Sequence, residues 1–274
     1  MSDSLKSKVE EWRVAQEASK KAKLHPKLKT YKFDEDNVTL VLMGDTHIGA
    51  RQYRRDEHLR NLEWCYEEEA KLILMGDQLE TALRDSVGAG VYEQDEHLQG
   101  QMEEFVGLYK PLADKELILG IHGGNHEDRI TQRVALDVTE MMCKELGVPH
   151  FDWGQYTRLR VGDQGYTLYT THGHSGAQKA HTKIKAAIDL EHMAKGADIY
   201  AMGHLHQLSH HVAQAYRPDL RRGTIETVPT HFLITGAYLD HWNSYAHRKS
   251  MQPARIGSPK VKLKGDERSI RVSL

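Results

Sequence analysis

From Val38 onward, short apolar runs and amphipathic stretches take turns along the chain. Residues 38–43 form a β-branched run, 56–70 carry apolar side chains at helical spacing, and 72–75 form a second strand-like run. Leu98, Met102, Phe105 and Tyr109 then recur at helical intervals before a strand at 116–122. Ile130, Val134, Val138, Met141 and Met142 mark the apolar side of one further helix. The second half is richer in strands. Residues 156–161 and 166–171 flank Gly162-Asp163-Gln164-Gly165 as a hairpin, and a helix over 179–195 leads into a strand at 197–202. Runs at 208–216 and 224–235 flank a turn at Arg217-Pro218-Asp219, and 260–264 with 269–274 make a last hairpin. Alternating β and α followed by mainly β predicts an α/β fold, a two-sheet sandwich flanked by helices. Residues 1–30 stand apart as a basic arm, with a Lys-rich helix over 4–23 whose apolar members are Val9, Trp12, Val14 and Ala15.

Composition narrows the class. The chain has 274 residues, 39% apolar and 28% charged, values of a folded globular protein rather than a disordered one. No run approaches the roughly 20 apolar residues that cross a bilayer, and the first residues lack a signal-peptide core, so the expected location is cytoplasmic, with no membrane partner. Cys65 and Cys143 fall inside helical patterns and read as buried, reduced thiols. Net charge is −2 but unevenly spread: 1–32 and 248–274 are basic, whereas 56–104 hold fourteen acids against three Lys/Arg. Basic ends suit either a phosphate backbone or a solvated tail, and the charge alone names no partner.

Five short motifs carry the chemistry: Gly44-Asp45-Thr46-His47, Gly76-Asp77, Gly124-Asn125-His126-Glu127, His172-Gly173-His174 and Gly203-His204-Leu205-His206. Each follows a strand-like run, and loops at the carboxyl ends of strands converge on the ligand crevice of α/β folds. Asp45 to Asp77 and His172 to His204 are both 32 residues, the length of a βαβ unit, which returns the chain to the same sheet edge. Together the motifs supply carboxylate, amide and imidazole donors for two divalent cations. Two cations roughly 3.5–4 Å apart need an anionic bridge, and Asp77 is the candidate. Asp45, His47 and His206 would complete one set of ligands, and Asn125, His172 and His204 the other. A sulfur-free, mixed donor set suits manganese (Mn2+), the preferred ion, or Fe, Zn2+ or Ni2+ more than Mg2+ or Ca2+. A hydroxide held between two such ions is a nucleophile at neutral pH. His126 has no place among the ligands and is the candidate proton donor to a leaving oxygen, its ring oriented by Glu127 or Asp128.

These motifs resemble the signature of the calcineurin-like metallophosphoesterase superfamily: Asp-x-His, Gly-Asp, Gly-Asn-His-Asp/Glu, His and Gly-His-x-His. The resemblance covers residues 38–210 and implies a metallophosphoesterase domain over 31–274 with a four-layer αββα core. It assigns the metal ligands to Asp45, His47, Asp77, Asn125, His172, His204 and His206, with His174 as a neighbour toward substrate. Gly44-Asp45-Thr46-His47-Ile48-Gly49, followed by Gln52-Tyr53-Arg54-Arg55, is similar to DNA double-strand-break-repair nuclease subunits. The Glu80–Arg84 segment lacks the histidine those nucleases often carry, and small phage and bacterial phosphoesterases are equally similar. Gln78-Leu79-Glu80-Thr81 departs from the Val-Asp-Arg-Gly pattern of the serine/threonine protein phosphatases. The implied activity is hydrolysis of phosphodiesters in DNA, RNA or nucleotides. The alternatives are a phosphomonoesterase or protein phosphatase, and a metal-binding regulatory module with little turnover.

Other residues have weaker claims. Arg51, Arg84 and Arg129 follow metal motifs closely and could clamp a phosphate, although each alone is more often a surface residue. His181, Lys183 and Lys185 follow the His-Gly-His loop on what reads as a solvated helix face. Trp242 and Tyr245 are candidates for stacking on a base.

Overall fold

The computed structural model describes residues 3–24, 28–84, 86, 92, 94–242 and 244–274. In chain order the strands are β1 (Lys29–Phe33), β2 (Asn37–Met43), β3 (Lys71–Leu74), β4 (Ile118–His122), β5 (His150–Phe151), β6 (Gln155–Val161), β7 (Gln164–Thr171), β8 (Ile199–Met202), β9 (Ser209–Asp219), β10 (Thr224–Ile234), β11 (Lys260–Lys264) and β12 (Ile270–Ser273). The helices are α1 (Asp3–Leu24), α2 (Arg55–Glu67), α3 (Leu98–Asp114), α4 (Asn125–Val134), α5 (Val138–Leu146), α6 (Ala180–Met193) and α7 (Tyr245–Arg248). Among the described residues they build two mixed six-stranded sheets, ordered β12-β11-β2-β3-β4-β5 and β1-β6-β7-β8-β10-β9. The α/β sandwich expected from the sequence is present.

Period-two alternation in β2 explains how the layers assemble. Leu40 and Leu42 point into a core shared with Leu159, Leu168, Ile199 and Leu233 of the other sheet. Val41 and Met43 point the opposite way, onto Leu62 of α2, Phe105 and Tyr109 of α3, and Met142 of α5. On the far side of the second sheet, Tyr200, Met202 and Phe232 pack against α6 through Ala187. β2, β3 and β4 run parallel to one another, as do β7, β8 and β10. All six carboxyl ends therefore open toward one crevice.

Several local expectations change. The single helix read across 130–142 is two: Ala135 turns left-handed (φ 56°), and the Asp137 side chain caps α5 by accepting from Glu140 N. Val134 and Met141, assigned to the apolar side, are consequently exposed. Arg217-Pro218-Asp219 is not a turn but the end of β9, paired with β10 through Ile225; β9 is an edge strand, where proline is tolerated. Strand β1, unrecognised in the polar Lys-rich stretch, pairs parallel to β6. Helix α1 matches its expected position, and Trp12 on it is 62% exposed. No described helix is long and apolar enough to cross a membrane. Cys65 and Cys143 are buried and free, and burial pushes both thiols up to about 12.

Two core histidines give the fold a pH dependence. Burial pushes His58 down to about 3, and it sits between Tyr53 and Tyr109. Burial likewise takes His122 down to about 4, between Asp152 O and Thr170 Oγ1. Unfolded, each would titrate near ~6.5. Between the folded and unfolded values the unfolded chain binds more protons, so stability is lost as pH falls below ~6.5. Urea unfolding of chelated protein should show a loss of roughly 1.5–2 kcal/mol per histidine from pH 6.5 to 5. A profile unchanged by His122→Gln over that range would contradict the assignment.

Candidate metal centre

The five motifs meet where β2, β3, β4, β7 and β8 end, and they bring Asp45, His47, Asp77, Asn125, His172, His204 and His206 into one cluster. Three groups of donor atoms, each internally within 4.8 Å, are Asp45, His47, Asp77 and His206; Asp77, His172 and His204; and His47, Glu80 and His126. Asp77 belongs to the first two, which hold the residues expected as ligands. In the first group His206 Nε2 lies 3.2 Å from Asp45 Oδ1 and 3.2 Å from His47 Nε2. In the second, His172 Nε2 lies 3.3 Å from Asp77 Oδ2 and 3.1 Å from Asn125 Oδ1, and His204 Nδ1 is 2.7 Å from the same Asn125 oxygen.

The local backbone is bent to achieve this. Asp45, His47, Asp77, His204 and His206 all have left-handed φ between 49° and 67°, a region that costs a non-glycine residue roughly 1–3 kcal/mol. Such strain persists where the surroundings over-determine it, and here it falls on five of the seven candidate ligands. The loop glycines serve close approach. A Cβ on Gly124 would lie 2.1 Å from Asp77 Oδ1 and 2.2 Å from Asp77 N, and one on Gly76 would lie 2.7 Å from His172 Nδ1.

Hydrogen bonds orient the rings. His172 Nδ1 donates to Met75 O at 2.9 Å, and His47 Nδ1 faces Glu80 Oε2 at 3.0 Å, so each Nε2 is aimed inward. Asp45 accepts from His204 N and from Thr235 Oγ1 at the end of β10. Burial opposes charge on Asp45 and Asp77, yet His206 beside Asp45 and His172 beside Asp77 hold both carboxyls below the usual range. Burial also opposes charge on His172, but Asp77 outweighs it and holds the imidazolium up at about 10. Buried negative charge balanced by imidazole protons, with inward-facing donors, fits a pair of cations.

His126 sits beside the cluster, its ring 4.5 Å from that of His47. Its Nδ1 lies 2.7 Å from Glu80 O, and Arg129 donates to its Nε2 at 2.9 Å. Burial pushes the ring down to about 4 despite Asp77 nearby, so it is a neutral acceptor at Nε2. The expectation that Glu127 or Asp128 orients it is not met. Glu127 instead accepts from Gly124 N, Leu79 N and Asp77 N, and Asp128 bonds Gln132. The carboxylate nearest the ring is Glu80, 3.6 Å from Nδ1.

Of the three arginines, Arg129 lies at the site but is turned onto His126 and Glu80 O, Arg51 pairs with Asp95 away in solvent, and Arg84 is exposed. Lys183 donates to Leu205 O at 2.8 Å and so braces the Gly-His-Leu-His loop, whereas Lys185 pairs with Asp189 and His181 is exposed. His174 is exposed with its ring 5.6 Å from His204. Trp242 stacks on His247, not on the cluster, and the Tyr245 side chain lies outside the described residues. Glu80 and Thr235 were missed by sequence reasoning. Thr235 follows a strand as the candidate-ligand motifs do, which is the available signal; Glu80 has none beyond lying three residues after Asp77.

A cavity of about 770 Å³ opens at the opposite end of the first sheet, lined by Tyr31, Phe33, Lys71, Lys115, Glu116 and Pro149. It holds no converging metal donors, and donor chemistry rather than volume locates the site. Compared with known proteins, the chain matches no family model and no curated protein sequence.

Proposed function

We propose that this protein is a dinuclear metal-dependent phosphoesterase of the calcineurin-like superfamily, with the helix–sheet–sheet–helix core of that fold, acting on phosphodiesters of nucleic acid or nucleotides. The observation that carries the reading is Asp77, one carboxylate shared by two donor groups at the carboxyl ends of parallel strands from both sheets. A pair of divalent ions held there, with manganese preferred, supplies Lewis acidity toward phosphoryl oxygens and lowers the pKa of water.

The protein's own groups do the rest. Asp45, His47, Asp77 and His206 would hold one ion, and Asp77, Asn125, His172 and His204 the other. Substrate approaches from the side of His204 and of His206, whose side chain is 35% exposed. On that side His126 and Arg129 supply hydrogen-bonding and positive groups to the phosphoryl and leaving oxygens. To act as proton donor the neutral ring would first take up a proton from solvent at Nε2, its affinity raised by the negative phosphoryl group, while Arg129 exchanges its bond to Nε2 for one to phosphate. Two buried thiols suit a reducing cytoplasm.

The test is hydrolysis of bis-p-nitrophenyl phosphate and of p-nitrophenyl phosphate by protein supplied with Mn2+. Diester turnover that is abolished by chelation and falls at least about a hundredfold in His126→Asn is expected. Preference for the monoester would favour a phosphomonoesterase. Two bound ions with turnover of neither ester would favour the regulatory module, a reading supported by the committed hydrogen bonds of His126.

A further inference from the structure

The buried amide of Gln78 lies between the two loops that carry Asp45, His47 and Asp77. Its Nε2 donates to Met43 O at 3.3 Å, at the end of β2, and to Gly76 O at 3.1 Å, just past the end of β3. Its Oε1 faces Thr46 Oγ1 at 3.2 Å and the Tyr109 hydroxyl at 3.5 Å. Both donor hydrogens of the amide are thus engaged, and its oxygen faces two hydroxyls. Thr46 Oγ1 also donates to the Gln78 carbonyl at 2.8 Å. The main chains of the two loops are zipped by Asp45 N to Gly76 O, His47 N to Asp77 O and Ile48 N to Gln78 O. Gln78 adds a crosspiece inside that zipper, at the level of the ligands.

The amide does not choose its orientation alone. Behind it runs a chain of buried hydroxyl and imidazole groups: Tyr53 OH is 2.6 Å from His58 Nδ1, and His58 Nε2 is 2.8 Å from Tyr109 OH. One arrangement satisfies the whole chain. Tyr53 donates to Nδ1, the neutral His58 donates from Nε2 to Tyr109, and Tyr109 points its proton at Gln78 Oε1 or at Met43 Sδ, 3.2 Å away. The carbonyls of Met43 and Gly76 require the amide nitrogen on their side, which leaves Oε1 facing the Thr46 and Tyr109 hydroxyls. Fully satisfied networks of this kind rigidify what they touch.

We propose that Gln78 is a positioning residue: its amide, held by the Met43 and Gly76 carbonyls and backed by the Tyr53–His58–Tyr109 chain, sets the separation of the Asp45–His47 and Asp77 loops so that Asp77 serves both ion positions. The proposal rests on the two-metal reading above. A residue with no more than a stabilising part in the core would leave the relation between the two ion positions untouched when altered, provided the protein stayed folded.

The full-length chain is titrated with Mn2+ by calorimetry, and the loaded protein is examined by electron paramagnetic resonance, which separates a spin-coupled manganese pair from isolated ions. Gln78→Met, of similar volume but without donors, is expected to weaken at least one of two Mn2+ equivalents tenfold or more and to shift the spectrum toward uncoupled ions. Thr46→Val, which keeps shape and removes one hydroxyl, is expected to move both readouts in the same direction and covers the case in which Gln78→Met does not fold. Leu112→Ala in the same core destabilises the fold and is expected to change neither. Wild-type affinity and an unchanged coupled spectrum in Gln78→Met, or in Thr46→Val where the first does not fold, would overturn the proposal, as would equal changes in Leu112→Ala. Wild-type protein that takes up fewer than two Mn2+ ions would instead overturn the two-metal reading, and this inference with it.

Discussion

Replacing Asp77 by asparagine is expected to reduce Mn2+ uptake from two ions to one or none and to lower diester turnover about a thousandfold, roughly 4 kcal/mol of transition-state stabilisation. The change is nearly isosteric: it removes the charge and turns one carboxylate oxygen into an NH2. Asp77 Oδ1 accepts from His126 N at 2.9 Å, a bond that an amide oxygen can keep, so the loop has no reason to move. What is lost is the one anion common to both donor groups, and without it two cations repel across a short gap. The chelated protein offers an independent check. Burial alone would keep His172 neutral, and Asp77 is the first of the groups that hold it up at about 10. In Asp77→Asn the His172 ring should titrate well below that value, as followed by the NMR shifts of its carbon-bound protons. Retention of two ions and of full turnover would refute the assignment of Asp77 as the shared ligand; an unmoved His172 titration would refute the electrostatic account.

Much of this site could be read from sequence because its parts obey local rules. A strand that ends in Gly-Asp or Gly-His places its polar residue at a known edge of the sheet, and parallel strands return to that edge every thirty residues or so. Asp45, Asp77, Asn125, His172 and His204 needed nothing more to be placed together. The sandwich was legible for the same reason: alternation in β2 and helical spacing in α3 each specify a buried face. What escaped was set by contacts between distant segments. The break between α4 and α5 depends on a left-handed Ala135, which no rule assigns to alanine. Pro218 marks a turn in most contexts, and only its place on the edge strand β9 makes it extended. Glu80, Glu127 and Gln78 look like ordinary polar loop residues until the fold sets them against His47, three backbone amides and two strand ends. The candidate ligands announce themselves by residue type; the groups that hold them do not.

Glu127 shows how much such a supporting group carries. It stands third in α4, and its carboxylate reaches back to Gly124 N at 2.9 Å, as a residue at that helical position often does. The same carboxylate also receives Leu79 N at 2.8 Å and Asp77 N at 3.2 Å, so it ties the second motif to the third. Burial, then the Asp77 charge, hold its carboxyl up at about 7, and the backbone donors work against them. Glu127→Ala strands three buried N–H groups at once. Each unpaired group costs about 1–3 kcal/mol, so the folded state should lose about 3 kcal/mol or more, a large share of the 5–15 kcal/mol typical of a domain. Glu127→Gln keeps one acceptor oxygen but turns an NH2 toward other donors, and should lose somewhat less. Urea unfolding of chelated protein measures both. Because the Asp77 loop is one of the two pieces that Glu127 joins, whatever folded Glu127→Gln remains should also bind Mn2+ at least tenfold more weakly, in the range expected for partners that support metal ligands. A loss below about 1 kcal/mol for Glu127→Ala would mean that water or a shifted backbone satisfies those amides, and that the join between the two motifs lies elsewhere.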